Sequence, residues 1–337
     1  MAENRRVLLV ARPQGMLRAE DFSIAVEPLP ALADGQFLVR NHYASLDPAM
    51  RGWMDDVPSY LPPIPLGATV RAGTIGVVVE SRTLDYPVGQ WVGGLNGLED
   101  YSVGAEGGTT RKFDASRLAK VTNYLSILGG VGLTAYFGFL EECQPQPGQT
   151  LLVSGAAGAV GSLVGQLGKL HGCRVIGIAG GAAKCAKLID RYGFDAAIDY
   201  RGKDVAALSA AIRAAAPDGV DMVFENVGSD ILDAALLNLR RNARVALCGL
   251  ISEYNSEQRI GARNLWSLIV HHAQIRGVLA TEFLPRFPEA REQLEAWLTE
   301  GKLTIDEHIE EGLENAYPAF MRLFDGSNQG KMILKIA

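Results

Sequence analysis

Between residues 150 and 280, short apolar runs alternate with longer alanine-rich stretches. The runs 151–153, 174–179, 196–199, 220–225, 243–248 and 277–280 have strand length and are largely apolar, as strands buried on both faces are. After the first run, Leu163, Val164, Leu167 and Leu170 recur at helical spacing and predict a helix over 162–171. Such alternation predicts an α/β fold with a doubly wound parallel sheet and crossover helices, whose ligand crosses the carboxyl ends of the strands.

The flanking sequence follows another pattern. Strand candidates at 5–10 and 36–43, and at 72–79 and 90–93 within a stretch rich in Gly, Pro and Val over 60–105, predict a small β-rich, barrel-like domain. A helical segment over 125–142 leads into the sheet domain. A helix at 287–300, the segment 304–309, a short helix at 319–324 and a strand at 332–336 follow it. Return of that last strand to the first domain gives expected boundaries of 1–124 with 303–337, and 125–302.

A length of 337 residues suits two domains, and 48% hydrophobic residues suffice for their cores. A net charge of −6 without a Lys/Arg block argues against nucleic acid or an anionic membrane as partner. No apolar run approaches the roughly 18 residues of a membrane span. The apolar run 7–11 before Arg12-Pro13 is too short for a signal peptide, so a cytoplasmic protein is expected. Cys143, Cys173, Cys185 and Cys248 form no C-x-x-C pair, and Cys173 and Cys248 read as small buried strand residues. None of His42, His171, His271, His272 and His308 stands at ligand spacing from a cysteine or carboxylate, so no metal site is expected.

The chemistry centres on 150–161. A strand, the small-residue turn from Ser154 to Gly161 and a helix start would aim backbone N–H groups and the positive end of a helix dipole at a diphosphate. The dinucleotide fingerprint reads Ala156-x-Gly158-x-x-Gly161, with alanine where the tight-turn glycine is usual. The same spacing also suits a turn used only for close packing. At the end of the second strand, Ile178-Ala179-Gly180-Gly181-Ala182-Ala183-Lys184 offers no carboxylate for a ribose 2′-hydroxyl, and Lys184 follows as a cation. That favours NADP(H) over NAD(H); the alternative for Lys184 is a solvated first-turn lysine.

Several motifs now carry a resemblance: Tyr43-Ala44-Ser45-Leu46-Asp47-Pro48-Ala49-Met50-Arg51-Gly52, Gly132-Leu133-Thr134-Ala135-Tyr136, Gly158-Ala159-Val160-Gly161, Glu225-Asn226-Val227-Gly228, Cys248 through Asn255, and Asn328-Gln329-Gly330-Lys331. In this order they closely resemble the zinc-independent medium-chain dehydrogenase/reductases. Within them the chain looks most like the prostaglandin reductase (leukotriene B4 12-hydroxydehydrogenase) group, with its curcumin reductase-like and alkenal double-bond reductase members. The resemblance implies a GroES-like catalytic domain built from both termini, a Rossmann domain between, a homodimer, and NADPH-dependent reduction of the C=C bond of α,β-unsaturated carbonyls.

It also implies roles for individual residues. The diphosphate falls at Gly158, Ala159, Val160 and Gly161, and the 2′-phosphate at Lys184 and Tyr200. Asn226, the loop from Cys248 and Gly249 to Tyr254, and Asn328 fall along the ribose and nicotinamide. Asn226 and Cys248 also end predicted strands, where ligand contacts are expected. Enone reduction leaves charge on a carbonyl oxygen, which requires donors in place beforehand. Where a zinc enzyme would offer its first cysteine, the chain reads Ser45-Leu46-Asp47-Pro48. Tyr254, then Tyr43 and Tyr60, are therefore the candidate donors.

In one respect the chain departs from the group. The stretch 265–272 lacks the tyrosine often found there, leaving His271 or His272 as substitute donors or as plain helix-end residues. Arg51 reads as a substrate-facing cation or as half of a structural ion pair. A quinone oxidoreductase on the same architecture and a non-catalytic NADPH-binding protein are the alternative functions.

Overall fold

The computed structural model describes residues 3–256 and 260–337. Two compact units divide the chain: the stretch ending at Ser126 together with Glu307–Ala337, and Ile127–Asp306.

In the first unit, β1 (Glu3–Leu9) and β2 (Phe22–Pro28) form an antiparallel ribbon. A second sheet contains β3 (Gln36–Ser45), β4 (Arg71–Ser81), β5 (Trp91–Gly97), β6 (Tyr101–Ala105) and β7 (Arg111–Lys112). The short helix α1 (Met50–Trp53) lies between β3 and β4. The register of β3 on β4 shifts twice, between Leu38 and Val39 and between Asn41 and Tyr43, and such irregularities bend a sheet toward closure.

The second unit opens with α2 (Gly130–Phe137), which runs on as a π-helix over Gly138–Cys143. Strands β8 (Thr150–Val153), β9 (Arg174–Ala179), β10 (Ala196–Asp199), β11 (Val220–Glu225), β12 (Leu239–Leu247) and β13 (Gln274–Gly277) follow. They alternate with α3 (Ala159–Leu170), α4 (Ala182–Asp190), α5 (Val205–Ala215), α6 (Ser229–Leu236) and α7 (Trp266–Val270), and α8 (Phe287–Thr299) comes after them. All adjacent pairs are parallel, in the order β10-β9-β8-β11-β12-β13. This is the doubly wound Rossmann arrangement, with its switch point between β8 and β11. Leu163, Val164 and Leu167 of α3 are fully buried, each contributing roughly 1.5–3 kcal/mol.

The chain then returns to the first unit as β14 (Glu307–Glu311), α9 (Ala316–Asp325) and β15 (Lys331–Lys335). Strand β15 pairs parallel with β14 and antiparallel with β3, so the C-terminal strand completes the first sheet. Its Met332 and Leu334 join Leu9, Leu46, Met50 and Phe320 in the core of that GroES-like unit.

Four sequence expectations need correction. The predicted helix at 125–142 begins only at Gly130, because 3-10 and turn structure occupies 121–128. The last central strand is Gln274–Gly277 rather than 277–280. An edge strand is half solvated, so its polar Gln274 and Arg276 hid it beside the more apolar stretch that follows. Helix α3 starts at Ala159, inside the predicted turn. Cys173 is buried but precedes β9, and Cys248 follows β12. Among the described residues, no helix is long and apolar enough to cross a membrane.

Candidate active site

The turn after β8 holds its shape through backbone geometry. Gly155 adopts φ 55°, and Gly158 is the extended N-cap of α3 (φ −76°, ψ 175°). The tight-turn conformation therefore falls one residue before Ala156, and the working spacing is Gly155-x-x-Gly158-x-x-Gly161. A Cβ on Gly161 would lie 2.5 Å from the Gly155 carbonyl oxygen and 2.9 Å from the Ala156 Cα. Close packing of helix on turn thus dictates the third glycine. The first-turn N–H groups of Ala159, Val160 and Gly161 have no acceptor within the helix, and they stand at its positive end.

A second cluster forms where β9 and β10 end. Asp199 Oδ1 accepts from the backbone N–H groups of Gly181 (2.8 Å) and Arg201 (3.0 Å), tying the two turns together. These bonds hold the Asp199 carboxyl below its ordinary range. The Tyr200 ring lies against Gly180, where a Cβ would stand 3.1 Å from the hydroxyl oxygen. The Arg201 guanidinium lies over Gly181, with Nη1 3.0 Å from the position of a Cβ. Lys184 sits in the first turn of α4, for which Gly181 is the N-cap. Tyr200 and Arg201 therefore meet over Gly180 and Gly181, and Lys184 stands three residues past Gly181 in the helix it caps. A cation two residues past a strand end was the available signal for Arg201.

The third part is built at the ends of β11 and β12. Asn226 donates from its backbone N–H to Ser154 Oγ (2.8 Å) and from Nδ2 to the Ser154 carbonyl (2.7 Å). The Tyr254 hydroxyl accepts from the Leu250 N–H at 3.2 Å and faces Gly249, where a Cβ would stand 3.1 Å from it. The loop from Cys248 to Tyr254 is thus closed by its own tyrosine. Burial and the Glu225 carboxylate push the Cys248 thiol up to about 12, so it is neutral near pH 7 and contributes backbone, not a thiolate. Gly158 to Gly161, Lys184, Tyr200, Asn226, Cys248, Gly249 and Tyr254 all lie along the carboxyl edge of one sheet.

Tyr43, Tyr60 and Asn328 belong to the first unit. Tyr43, on β3, packs against the cluster of Ile75, Leu125 and Ile333. The Tyr60 hydroxyl accepts from Trp53 Nε1 at 3.0 Å, and Asn328 Nδ2 donates to the Gly330 carbonyl at 3.0 Å. Tyr43 and Tyr60 thus pack against different neighbours. Lys331 is fully buried and donates to the Leu46 carbonyl (2.7 Å) and Asp47 Oδ1 (2.8 Å), joining two of the sequence motifs. Buried Arg51 is structural: it pairs with Asp55 at 2.5 Å and donates to the carbonyls of Pro13 and Gly15.

Residues 5–111 match the family described as the N-terminal domain of oxidoreductase, and residues 159–298 match the family described as zinc-binding dehydrogenase. The NADPH-dependent curcumin reductase of Escherichia coli is 38% identical, over 99% of this chain and 97% of its own length. The NADP+-dependent 2-alkenal reductase of Nicotiana tabacum is 36% identical, over 99% of this chain and 98% of its own. The crystal structure of Vibrio vulnificus CurA in complex with NADPH superposes with a TM-score of 0.93 at 37% identity, covering 99% of each chain. The chain belongs to the zinc-independent reductase group of the medium-chain dehydrogenase/reductases.

As a member of that group, the reductase shares a family description that mentions zinc. Among its described residues, no group of three or more His, Cys, Asp and Glu side chains is placed to hold a metal. In this medium-chain reductase the Ser45-to-Asp47 segment is instead held by the Lys331 ammonium and by the Ser45 Oγ–H bond to Asp47 Oδ2. The histidines offered as substitute donors do not suit that role. His272 Nδ1 lies 2.8 Å from Asn242 Oδ1, near the amino ends of β12 and β13. Six residues of strand, about 20 Å, separate Asn242 from Cys248 at the other edge.

Proposed function

We propose that this protein reduces the carbon–carbon double bond of α,β-unsaturated aldehydes and ketones, with NADPH as the reductant and no metal. It is an NADP-dependent oxidoreductase; relatives along its whole length carry the names of curcumin and 2-alkenal reductases. The single observation that carries the cofactor choice is the meeting of Tyr200 and Arg201 over Gly180 and Gly181, with Lys184 in the first turn of the helix that Gly181 caps. Two cations and a phenol hydroxyl, at a strand-end turn lacking the usual ribose-binding carboxylate, suit a 2′-phosphate.

The cradle fits the cofactor because glycine at 161 lets α3 pack close on the turn, whose first-turn N–H groups then face the diphosphate position without helix acceptors. Gly158, Ala159, Val160 and Gly161 would hold the diphosphate, and Asn226, Cys248, Gly249, Tyr254 and Asn328 the nicotinamide half. When bound, NADPH supplies the hydride delivered to the β-carbon. Charge then develops on the carbonyl oxygen, where a hydroxyl donor lowers the barrier. Tyr254 is the first candidate for that donor, followed by Tyr43 and Tyr60. The α-carbon finally takes a proton, by way of a tyrosine hydroxyl or from water.

Chelator-treated protein presented in parallel with 2-alkenals, aryl enones and quinones tests the reading. NADPH oxidation with the first two classes is expected. Turnover of quinones alone supports a quinone oxidoreductase, and tight NADPH binding without turnover supports a binding protein.

The protein is further inferred to be a cytoplasmic homodimer. Strand β13 is an outer strand of its sheet, beside Leu265, Trp266, Ile269 and Val270, which are 48–70% exposed. A two-fold axis through such an edge would extend the sheet and cover these side chains. Sedimentation is expected to give twice the 36.2 kDa chain mass for wild type. Trp266→Glu is expected to sediment as a single chain; an unchanged mass would place the interface elsewhere.

A further inference from the structure

Glu225 ends β11 with a fully buried side chain. Its Oε1 accepts three hydrogen bonds of 2.7 Å, from Ser154 Oγ, the Val227 N–H and the Gly228 N–H. Its Oε2 is equally buried and has no partner among the described residues. The Glu225 carbonyl oxygen takes two more bonds, from the N–H groups of Cys248 (2.8 Å) and Gly249 (3.1 Å). One residue therefore joins the turn after β8, the turn after β11 and the loop after β12. Ser154 Oγ extends the linkage by accepting the Asn226 N–H.

Burying a carboxyl group with one oxygen unsatisfied is costly, and burial pushes the Glu225 carboxyl up. In return it holds backbone that would not hold itself. Gly228 has φ 87° and Ser229 φ 47°, a left-handed conformation uncommon for a serine. These two residues start α6, and the Oε1 bonds to Val227 and Gly228 fix the turn that precedes it.

We infer that Glu225 is the positioning residue of the cofactor edge, whose Oε1 serves as a three-way acceptor that sets where Asn226 stands. The inference rests on the NADPH reading above. Oε1 acts by accepting, which the neutral carbonyl oxygen of glutamine can also do; leucine cannot, and would leave two backbone donors and a hydroxyl unsatisfied.

Fluorescence titration with NADPH on purified wild type, Glu225→Gln, Glu225→Leu and Ser154→Ala tests this, with thermal melting measured without cofactor. Glutamine is expected to bind within about threefold of wild type, and leucine about 10- to 100-fold more weakly. Ser154→Ala removes the Oγ that joins Glu225 Oε1 to the Asn226 N–H and leaves the Oε1 bonds from Val227 and Gly228 in place. It is expected to weaken binding by about three- to tenfold, with a melting temperature between those of wild type and the leucine variant. It carries the test together with glutamine if the leucine variant does not fold. Wild-type affinity in Ser154→Ala overturns the positioning role, as does a glutamine variant weakened tenfold or more. A wild type that binds no NADPH overturns the cofactor reading itself, and is seen before any variant is compared.

Discussion

Gly161→Ala is expected to weaken NADPH binding by about 100-fold, although it adds a single methyl group. The new Cβ would stand 2.5 Å from the Gly155 carbonyl oxygen and 2.9 Å from the Ala156 Cα. Both are backbone atoms of the turn that would receive the diphosphate, so no side-chain rotation relieves the collision. Overpacking of this kind costs about 1–3 kcal/mol, which at its upper end corresponds to roughly 100-fold in binding. Gly130→Ala is the control: in the first turn of α2 an added Cβ meets nothing within 4 Å. Alanine there is expected to leave binding unchanged and raise helix stability slightly. Calorimetric titration of both variants decides the matter; equal affinities would show that the turn can relax around a methyl group.

The second large effect concerns cofactor choice. Lys184→Ala with Arg201→Ala is expected to raise the KM for NADPH by about 100-fold or more, since hydrogen bonds to charged groups contribute about 1.5–3 kcal/mol each. The KM for NADH is expected to stay within about threefold, because NADH carries no phosphate at that position. The discrimination ratio, not the loss itself, is the test. Equal losses with both cofactors would mean that the pair supports the fold around Gly180 and Gly181 rather than reading a phosphate. Because Arg201 is exposed, the wild-type preference is also expected to shrink at high salt.

Much of this was legible in the chain. The strands of the nucleotide unit were readable because they are buried on both faces, which leaves runs such as Val175-Ile176-Gly177-Ile178 nearly free of polar residues. Strand β13 was misplaced because an edge strand loses that signature. Strand β2 was not foreseen either: it pairs only with β1, and its Ile24 and Val26 remain about half exposed, so no apolar contrast marks it. Lys184 was legible as a cation just past the second strand, and Tyr200 came through the resemblance. Gly155, Arg201 and Glu225 were missed for three separate reasons. Gly155 lies one residue outside the usual fingerprint register. Arg201 acts from a turn that only sheet order brings beside Gly181. Glu225 is a polar residue whose partners come from two other segments, so its burial is invisible until the strands are paired.

In the proposed reaction, hydride from NADPH reaches the β-carbon of a conjugated carbonyl. The most direct test of that transfer is turnover of an aryl enone by chelator-treated enzyme with NADPH deuterated at C4, followed by magnetic resonance of the product. A saturated ketone with deuterium on the carbon β to the carbonyl is the expected result. An allylic alcohol with deuterium on the former carbonyl carbon, or enone recovered unchanged, would contradict it.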